Sequence, residues 1–194
     1  MRALGEKPYL ALYSLVALAT LGWAIGAWRV APGELLFAGL RFVPLVVMPF
    51  AFVLLACGLA RNPMAPGAGH RLAGAEPARG ILRVTRHPVM WAIMLWAASH
   101  ILARGELHAT IFFGTMFLLG ALGSVLQERR KVREMPEGWR RYAEVTSHVP
   151  FVAIAQGRNR FALAEIGWAR PAAGLALYAL ALALHPWLFG ARPY

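Results

Sequence analysis

The sequence predicts an all-α, polytopic integral membrane protein with about five transmembrane helices and a cytoplasmic amphipathic segment. Of its 194 residues, 59% are hydrophobic and only 15% are charged, which is too apolar for an ordinary soluble domain. The apolar residues also come in long, uninterrupted blocks, as they do where lipid rather than a protein core surrounds a helix. The lipid bilayer is therefore the first partner that the sequence predicts.

Five apolar blocks in a single domain, residues 1–194, predict the membrane spans, because a bilayer core of about 30 Å needs about 20 helical residues. The blocks are residues 9–28, 42–59, 89–102, 107–126 and 172–188. The third block is short, so we expect it either to extend past Pro88 or to pack against neighbouring helices. Only residues 103–106 separate it from the fourth block, which predicts a tight helical hairpin.

The charge pattern predicts the orientation of these helices. The chain has 20 Lys and Arg against 9 acidic residues, and the cytoplasmic loops of membrane proteins collect basic residues. With the N-terminus in the cytoplasm, the arginines on the far side are Arg29, Arg41, Arg104 and Arg192. We therefore expect a cytoplasmic N-terminus, a cytoplasmic segment at residues 127–170 and a periplasmic C-terminus. The same rule explains the basic excess without nucleic acid, and the basic runs lack the aromatic residues of a nucleic-acid site.

A polar cluster stands directly before the third apolar block, in GILRVTRHPVMWA at residues 80–92. Proline is favoured in the first helical turn, which predicts a helix that begins with Pro88 and has His87 near its N-cap. Free backbone donors and the positive end of the helix dipole lie there, and Arg83 and Arg86 stand beside them. The cluster therefore predicts an anion-binding site. The alternative is that Arg86 only pairs with lipid phosphate and His87 only caps the helix.

The remaining histidines divide into one candidate and four residues with a plainer interpretation. His100 lies within the third block, where a polar side chain at membrane depth is a functional candidate. At about 100° per residue, His87 shares a helix face with Trp91, whereas His100 lies on another face. The others lie near the ends of spans or in a loop and are interpreted as solvated: His70, His108, His148 and His185.

The segment at residues 127–147 is highly charged but carries apolar residues at helical spacing. These residues are Val132, Met135, Trp139 and Tyr142. The pattern predicts an amphipathic helix pair, interrupted near Pro136, that lies on the cytoplasmic surface. It either faces lipid as a belt or closes as a lid over the site at His87. The chain has no P-loop, no dinucleotide-binding glycine pattern and no zinc-type Cys/His spacing.

Several separated motifs, in the same order, resemble the NnrU family of bacterial membrane proteins. They are GILRVTRHPVMWAIMLWAASHILARGEL, then W-x-x-Y-x-x-x-TSHVPF with AIAQGRNR, then EIGW and ALHPWLFG, and the resemblance as a whole runs from about residue 9 to residue 190. The family includes plant zeta-carotene isomerase, a haem enzyme with histidine axial ligands, which resembles this chain across the RHP hairpin and the TS-x-x-PF segment. The resemblance implies a bacterial inner-membrane location and a link with nitrogen-oxide metabolism, that is, with denitrification.

The same resemblance implies haem b bound through His87, with Arg86 and Arg83 facing the haem propionates. His100 is the second candidate for the iron, and a second axial ligand would come from His100, His148, His185 or Cys57. The predicted cofactor-binding set is His87, Arg86, Arg83, Trp91, His100, Glu128, Trp139 and Tyr142. A haem-dependent isomerase would act on an apolar small molecule, which is the second predicted partner.

A more distant resemblance is to isoprenylcysteine and phospholipid methyltransferases, which implies S-adenosylmethionine as the alternative cofactor. The chain keeps part of their pattern, namely Gly80, Arg86, His87, Pro88 and Glu128. Its departures, which count against a working S-adenosylmethionine site, are Leu82, Met90, Ala92 and Gln127. A third functional class is a non-catalytic membrane assembly factor, for which no residue argues positively. The sequence leaves open whether the chain is an enzyme.

Overall fold

The structure is a computed structural model that describes residues 5–60, 62–64, 70, 72, 76 and 78–193. Within these ranges the regular structure is helical, and the only β-type pairing is an isolated bridge between Leu35 and Glu106. The predicted all-α fold is confirmed, and a helix lies at each of the five apolar blocks.

The described chain forms nine helices: α1 Glu6–Val30, α2 Val43–Gly58, α3 Ile81–Val84, α4 Pro88–Arg104, α5 Leu107–Glu134, α6 Pro136–Val145, α7 Val152–Ala155, α8 Leu163–Ile166 and α9 Ala169–Phe189. α5 continues to Glu134, beyond residue 126, because the residues that follow are mostly Gln, Glu, Arg and Lys, which favour helix. It ends at Met135, and Pro136 takes the first position of α6, as proline does at helix starts.

Among the described residues, three helices are long and apolar enough to cross a membrane: Pro8–Val30 within α1, α5 and α9. α2 is a shorter apolar helix. α4 has 17 residues, begins with Pro88 and packs between α2 and α5, so the short third block is supported by neighbouring helices, as expected. The chain is a multi-pass membrane protein.

Close backbone approaches at glycines bring the helices together. Gly58 at the end of α2 lies against Pro88 at the start of α4. At the other end of this antiparallel pair, Leu36 and Phe37 of the α1–α2 loop donate to the carbonyl of Gly105, between α4 and α5. Gly105 has a φ of 68°, and a Cβ there would collide with the Phe37 carbonyl, so this turn requires glycine.

α9 lies on the far side of α2, and α1 packs at the edge of the bundle against α5. Gly174 of α9 approaches Phe52 of α2, where an added Cβ would lie 2.7 Å from the backbone oxygen. Trp28 near the end of α1 packs against His108 and Phe112 of α5. The central row of the bundle is therefore α9, α2, α4 and α5.

α6 packs its apolar face on protein rather than on lipid. Trp139 is 8% exposed and Tyr142 is fully buried. Both belong to a cluster with Met64, Leu72 and Ala78, which lie in the chain between α2 and α3. The lipid-facing belt is therefore not observed for these two side chains, because these three residues supply their partners.

Candidate functional site

The candidate site forms where the start of α4, the last third of α5 and the loop after α6 meet. His87 is the N-cap residue of α4, directly before Pro88, as the sequence predicted. Its backbone N–H donates to Thr85 Oγ1 over 3.2 Å. The residue is 1% exposed, so its imidazole lies inside the protein.

Glu128 of α5 holds both His87 and Arg86. His87 Nε2 lies 2.8 Å from Glu128 Oε1, and Arg86 Nε donates to the same oxygen over 2.7 Å. Arg86 Nη2 lies 3.5 Å from the other carboxylate oxygen, Oε2, which therefore has only a long contact. When the His87 proton is on Nε2, the imidazole donates to the carboxylate and Nδ1 keeps a free lone pair.

Hydrogen bonds connect the loop at residues 146–148 to the residues around the start of α4. Arg86 donates to two carbonyls of this loop, from its backbone N–H over 3.0 Å and from its guanidinium over 3.1 Å. The His148 carbonyl accepts from Thr85 Oγ1 at 2.7 Å and from Trp91 Nε1 at 2.8 Å. These bonds bring the His148 side chain next to His87.

His148 completes a group of three donor residues with His87 and Glu128. The two imidazole centroids are 5.0 Å apart, and one ligand atom from each residue lies within 4.8 Å of the others. His148 Nε2 is 2.7 Å from Ser124 Oγ, whose hydroxyl also reaches the Ala121 carbonyl at 2.7 Å. Burial lowers the pKa of His148 below its usual range; His87 acts in the same direction and Glu128 opposes it.

His87 Nδ1 is buried and has no hydrogen-bond partner among the described residues. Buried polar atoms are rarely left unpaired, and an exception points to a catalytic role, a water or an ion. His87 also lines a cleft of about 190 Å³ between the end of α2, the start of α4 and α5. The other residues of its wall are Gly58, Leu59, Asn62, Met64, Val89, Met90 and Gln127.

α6 covers the side of the site that carries Arg86. The guanidinium carbon lies 5.4 Å from the centre of the Trp139 ring, within range of a cation–π contact. Tyr142 packs edge-on against Trp139, and burial raises its pKa well above the usual range. In the part of the chain that the structure describes, the Tyr142 hydroxyl has no partner. Both predicted residues thus lie beside the site, next to Arg86.

Arg83 belongs to a separate cluster. Its guanidinium makes a two-point ion pair with Glu165, with distances of 2.8 and 2.9 Å, and it donates to Asn159 Oδ1 over 2.8 Å. The Gly80 N–H also donates to Glu165. The hydrogen bond from Arg83 lowers the pKa of Glu165 to about 2, and the Gly80 N–H acts in the same direction. Arg83 is therefore engaged within the protein and does not approach His87.

His100 is also remote from the site. It follows His87 by 13 residues, with both at or within α4, which places it about 20 Å further along the axis. Its Nδ1 lies 2.8 Å from the Trp96 carbonyl, and its ring packs on Phe113. The structure therefore does not bring the two predicted iron ligands together.

The predicted cofactor-binding set does not include His148 or Ser124. From the sequence, His148 is interpreted as a solvated histidine because it lies near the end of a span, and the haem resemblance names it only as a candidate for the second axial ligand. Ser124 stands in an apolar helix where no pattern marks it. The signal that points to His148 is its place in the TSHVPF motif, beside residues whose carbonyls bind Arg86.

The described residues do not fit haem in the predicted arrangement. The expected propionate partners are engaged, Arg86 by Glu128 and Arg83 by Glu165. The cleft at His87 holds about 190 Å³, below the range of about 300–1,000 Å³ that is usual for drug-sized ligands and cofactors. Haem ligation by His87 stays a prediction, and these contacts give it no support.

Comparisons with known proteins address the family directly. No curated protein and no solved structure matches the chain. Among family models, the one described as NnrU protein matches residues 1–193. Because this match covers nearly the whole chain and agrees with the order of the sequence motifs, the protein belongs to the NnrU family.

Proposed function

We propose that this NnrU family member binds one divalent transition metal through His87, Glu128 and His148 at one end of its membrane bundle. The observation that carries the proposal is the convergence of three donor atoms, within 4.8 Å of one another, from three separate segments. The buried His87 Nδ1 has no partner among the described residues, which marks this imidazole as a functional candidate. Two histidines and a carboxylate are a recurrent ligand set for Zn²⁺ and for non-haem Fe²⁺.

The distances require a small closure around a metal. Ligand atoms about 2.1 Å from one ion lie at most about 4.2 Å apart, so a pair at the 4.8 Å limit must approach by several tenths of an ångström. His87 Nε2 and Glu128 Oε1 are 2.8 Å apart as a hydrogen-bonded pair, so ligation by both residues requires the imidazole proton to move to Nδ1 and the pair to open slightly around the ion. His148 can turn toward them, because the Ser124 hydroxyl has a second acceptor in the Ala121 carbonyl.

Arg86 influences the strength of such a site in two ways. Its positive charge, 2.7 Å from Glu128 Oε1, opposes a cation. The long 3.5 Å contact at Glu128 Oε2 leaves that oxygen with lone pairs for a metal. Carboxylates that bind metals are commonly oriented by a second hydrogen bond, and Arg86 supplies one. We therefore expect weaker binding than the same three ligands would give without the arginine.

The proposed centre is of the open type. Three protein ligands leave a coordination position for water or substrate, whereas four protein ligands close a structural zinc site. A metal with an open position polarises a substrate or holds it beside a redox centre. We propose that any enzymatic activity of the protein, including isomerase activity, uses this metal centre. The proposed link with nitrogen-oxide metabolism also depends on it.

The test is metal analysis of the full-length protein in neutral detergent, after dialysis against Zn²⁺, Fe²⁺ or Co²⁺. We expect one bound ion per chain, and an affinity at least about tenfold lower in Glu128→Gln and in His148→Ala. The control is His185→Ala, since His185 bonds to the Ala191 carbonyl outside the cluster. Metal binding that is absent, or equal in all four proteins, would overturn the proposal.

The two cofactors implied by the sequence resemblances give different results in the same preparation. A Soret band that His87→Ala abolishes would replace the metal proposal with haem ligation. Tight binding of S-adenosylmethionine by protein that takes up no metal would favour the methyltransferase class instead.

We further propose that the site faces the cytoplasm of a bacterial inner membrane. The support is the distribution of arginines, which collect on the side of the bundle that carries the site. A reporter that is active only in the periplasm should be active when fused after Tyr194 and silent when fused after Glu134. The reverse pattern would contradict this orientation.

A further inference from the structure

The wall of the cleft beside His87 is almost uncharged. Five of its residues are glycine or apolar: Gly58, Leu59, Met64, Val89 and Met90. Asn62 and Gln127 contribute neutral amides, and His87 is the one ionisable side chain among the described residues of the wall. A ligand in this cleft therefore meets apolar surface, two amides and an imidazole.

A second cavity at the same end of the bundle has the opposite character. It holds about 390 Å³, and its wall includes Glu76, Arg79, Glu165 and Arg170. A charged ligand would find ion-pair partners there, whereas the cleft at His87 offers it the imidazole alone. A charge that leaves water without a partner is costly, so the His87 cleft selects uncharged molecules.

The volume of the cleft limits the size of its ligand. An engineered apolar cavity of about 150 Å³ binds benzene or xenon, and the cleft holds about 190 Å³. Drug-sized molecules occupy pockets of about 300–1,000 Å³. A long polyene would therefore not fit inside as a whole, whereas a molecule about as large as benzene would.

Exposed apolar side chains lie on the wall of the cleft and next to it in the chain. Leu59 on its wall is 71% exposed, and Leu126, adjacent to Gln127 on α5, is 60% exposed. α5 is one of the helices long and apolar enough to cross a membrane, so exposed leucines along it face lipid. The bilayer, in which small uncharged molecules accumulate, is the direct source of a ligand.

We infer that the ligand of the His87 site is a small uncharged molecule, about as large as benzene or smaller, that enters from the bilayer through this cleft. Contact between this ligand and a metal at His87 requires the proposed function to be correct. Its binding in the cleft does not, because the wall residues other than His87 take no part in the proposed metal site.

The test uses 3-ethyl-3-methyldiazirine, an uncharged photoreactive molecule about as large as benzene, on the full-length protein in detergent. Mass spectrometry locates the label, and benzene or its charged analogue benzoate is added as competitor. We expect benzene, and not benzoate, to reduce labelling of the peptides that contain Leu59, Met64 and Met90.

Two variants and a control sharpen this test. Leu59→Trp narrows the mouth at an exposed position, and Met90→Phe fills the interior, so both should lose the benzene-sensitive label. Leu122→Trp adds the same ring at an exposed position on α5 that is not part of the wall. This variant should keep the benzene-sensitive label. If Met90→Phe fails to fold, Leu59→Trp still decides, because its side chain is not packed in the core.

Labelling of the wild-type cleft that benzene does not reduce, or that benzoate reduces equally, would overturn the inference. Metal content is measured on the same samples, which separates the two proposals. Benzene protection in protein that binds no metal would leave the ligand class standing and remove the proposed function. Bound metal without benzene protection would support the proposed function and overturn the inference about the ligand.

Discussion

Two arginine clusters lie at the same end of the bundle, and they differ in how completely their polar groups are satisfied. Arg83 makes a two-point ion pair with Glu165, whose carboxylate also accepts from a backbone N–H. Arg86 shares a carboxylate oxygen of Glu128 with His87, and the second imidazole nitrogen stays unpaired within the described structure.

The difference indicates which cluster stabilises the fold and which is available for chemistry. A largely buried network whose polar groups are paired rigidifies the elements that it joins, here α3 and α8. A buried group without its partner costs stability, and natural proteins accept that cost mainly at functional sites. Substitutions in the two clusters should therefore have opposite consequences for stability and for binding.

The largest expected effect is the loss of stability in Arg83→Leu. The substitution removes the two-point partner of Glu165, whose side chain is 17% exposed, and leaves it the Gly80 N–H and the Arg160 guanidinium 4.0 Å away. Removing one member of a largely buried pair costs about 3 kcal/mol, and we expect a decrease of this size in the free energy of unfolding. Denaturant titration in detergent, followed by circular dichroism, measures it, and metal content should stay unchanged.

Arg79→Leu is the matched control for this prediction. Arg79 is 63% exposed and lies 3.8 Å from Glu76, which is 65% exposed. An exposed pair of this kind contributes about 0–1 kcal/mol, so the variant should unfold close to wild type. Equal losses in both arginine variants would show that the Arg83 pair has no special stabilising role.

Acid should weaken the Arg83 cluster in a defined direction. The pKa of Glu165 is about 2, below the ordinary value of 4.5, so its ionised form stabilises the fold above the ordinary value. That contribution is lost as the pH falls toward the folded pKa. The stability difference between wild type and Glu165→Gln should be constant above about pH 5 and should shrink in more acidic solution. Unfolding titrations across this range measure it, and a difference that grows on acidification would contradict the assignment.

The smallest expected effect on stability is at the other cluster, in His87→Leu. The substitution removes one bond to Glu128, but it also removes the unpaired buried nitrogen, and Arg86 still holds the carboxylate. These contributions oppose each other, so the free energy of unfolding should change by less than about 1 kcal/mol while metal binding is lost. Denaturant titration with metal analysis checks both, and a loss as large as that in Arg83→Leu would break the comparison.

Features that depend on local sequence could be predicted. The apolar blocks predict helices because length and hydropathy are properties of contiguous residues. The start of α4 at Pro88 follows from the geometry of proline alone. The apolar block predicts an end at residue 126, but α5 continues to Glu134. Hydropathy falls after residue 126, whereas the propensity for helix stays high.

The partners of the two arginines could not be predicted in this way. Arg83 and Arg86 are similar in sequence context, yet their carboxylate partners lie 82 and 42 residues further along the chain. Which glutamate faces each arginine depends on how α5 and α8 pack against the segment before α4, and periodicity within one segment carries no information about that packing.

By itself, the sequence determined that this protein is a helical membrane protein of the NnrU family with a polar cluster at the start of α4. Only the tertiary structure decided that His148 joins His87 and Glu128 and that His100 lies elsewhere. Ligand geometry depends on distances between residues far apart in the chain. Those distances are set by the loop that hydrogen bonds fasten to the start of α4, and no local pattern reports them.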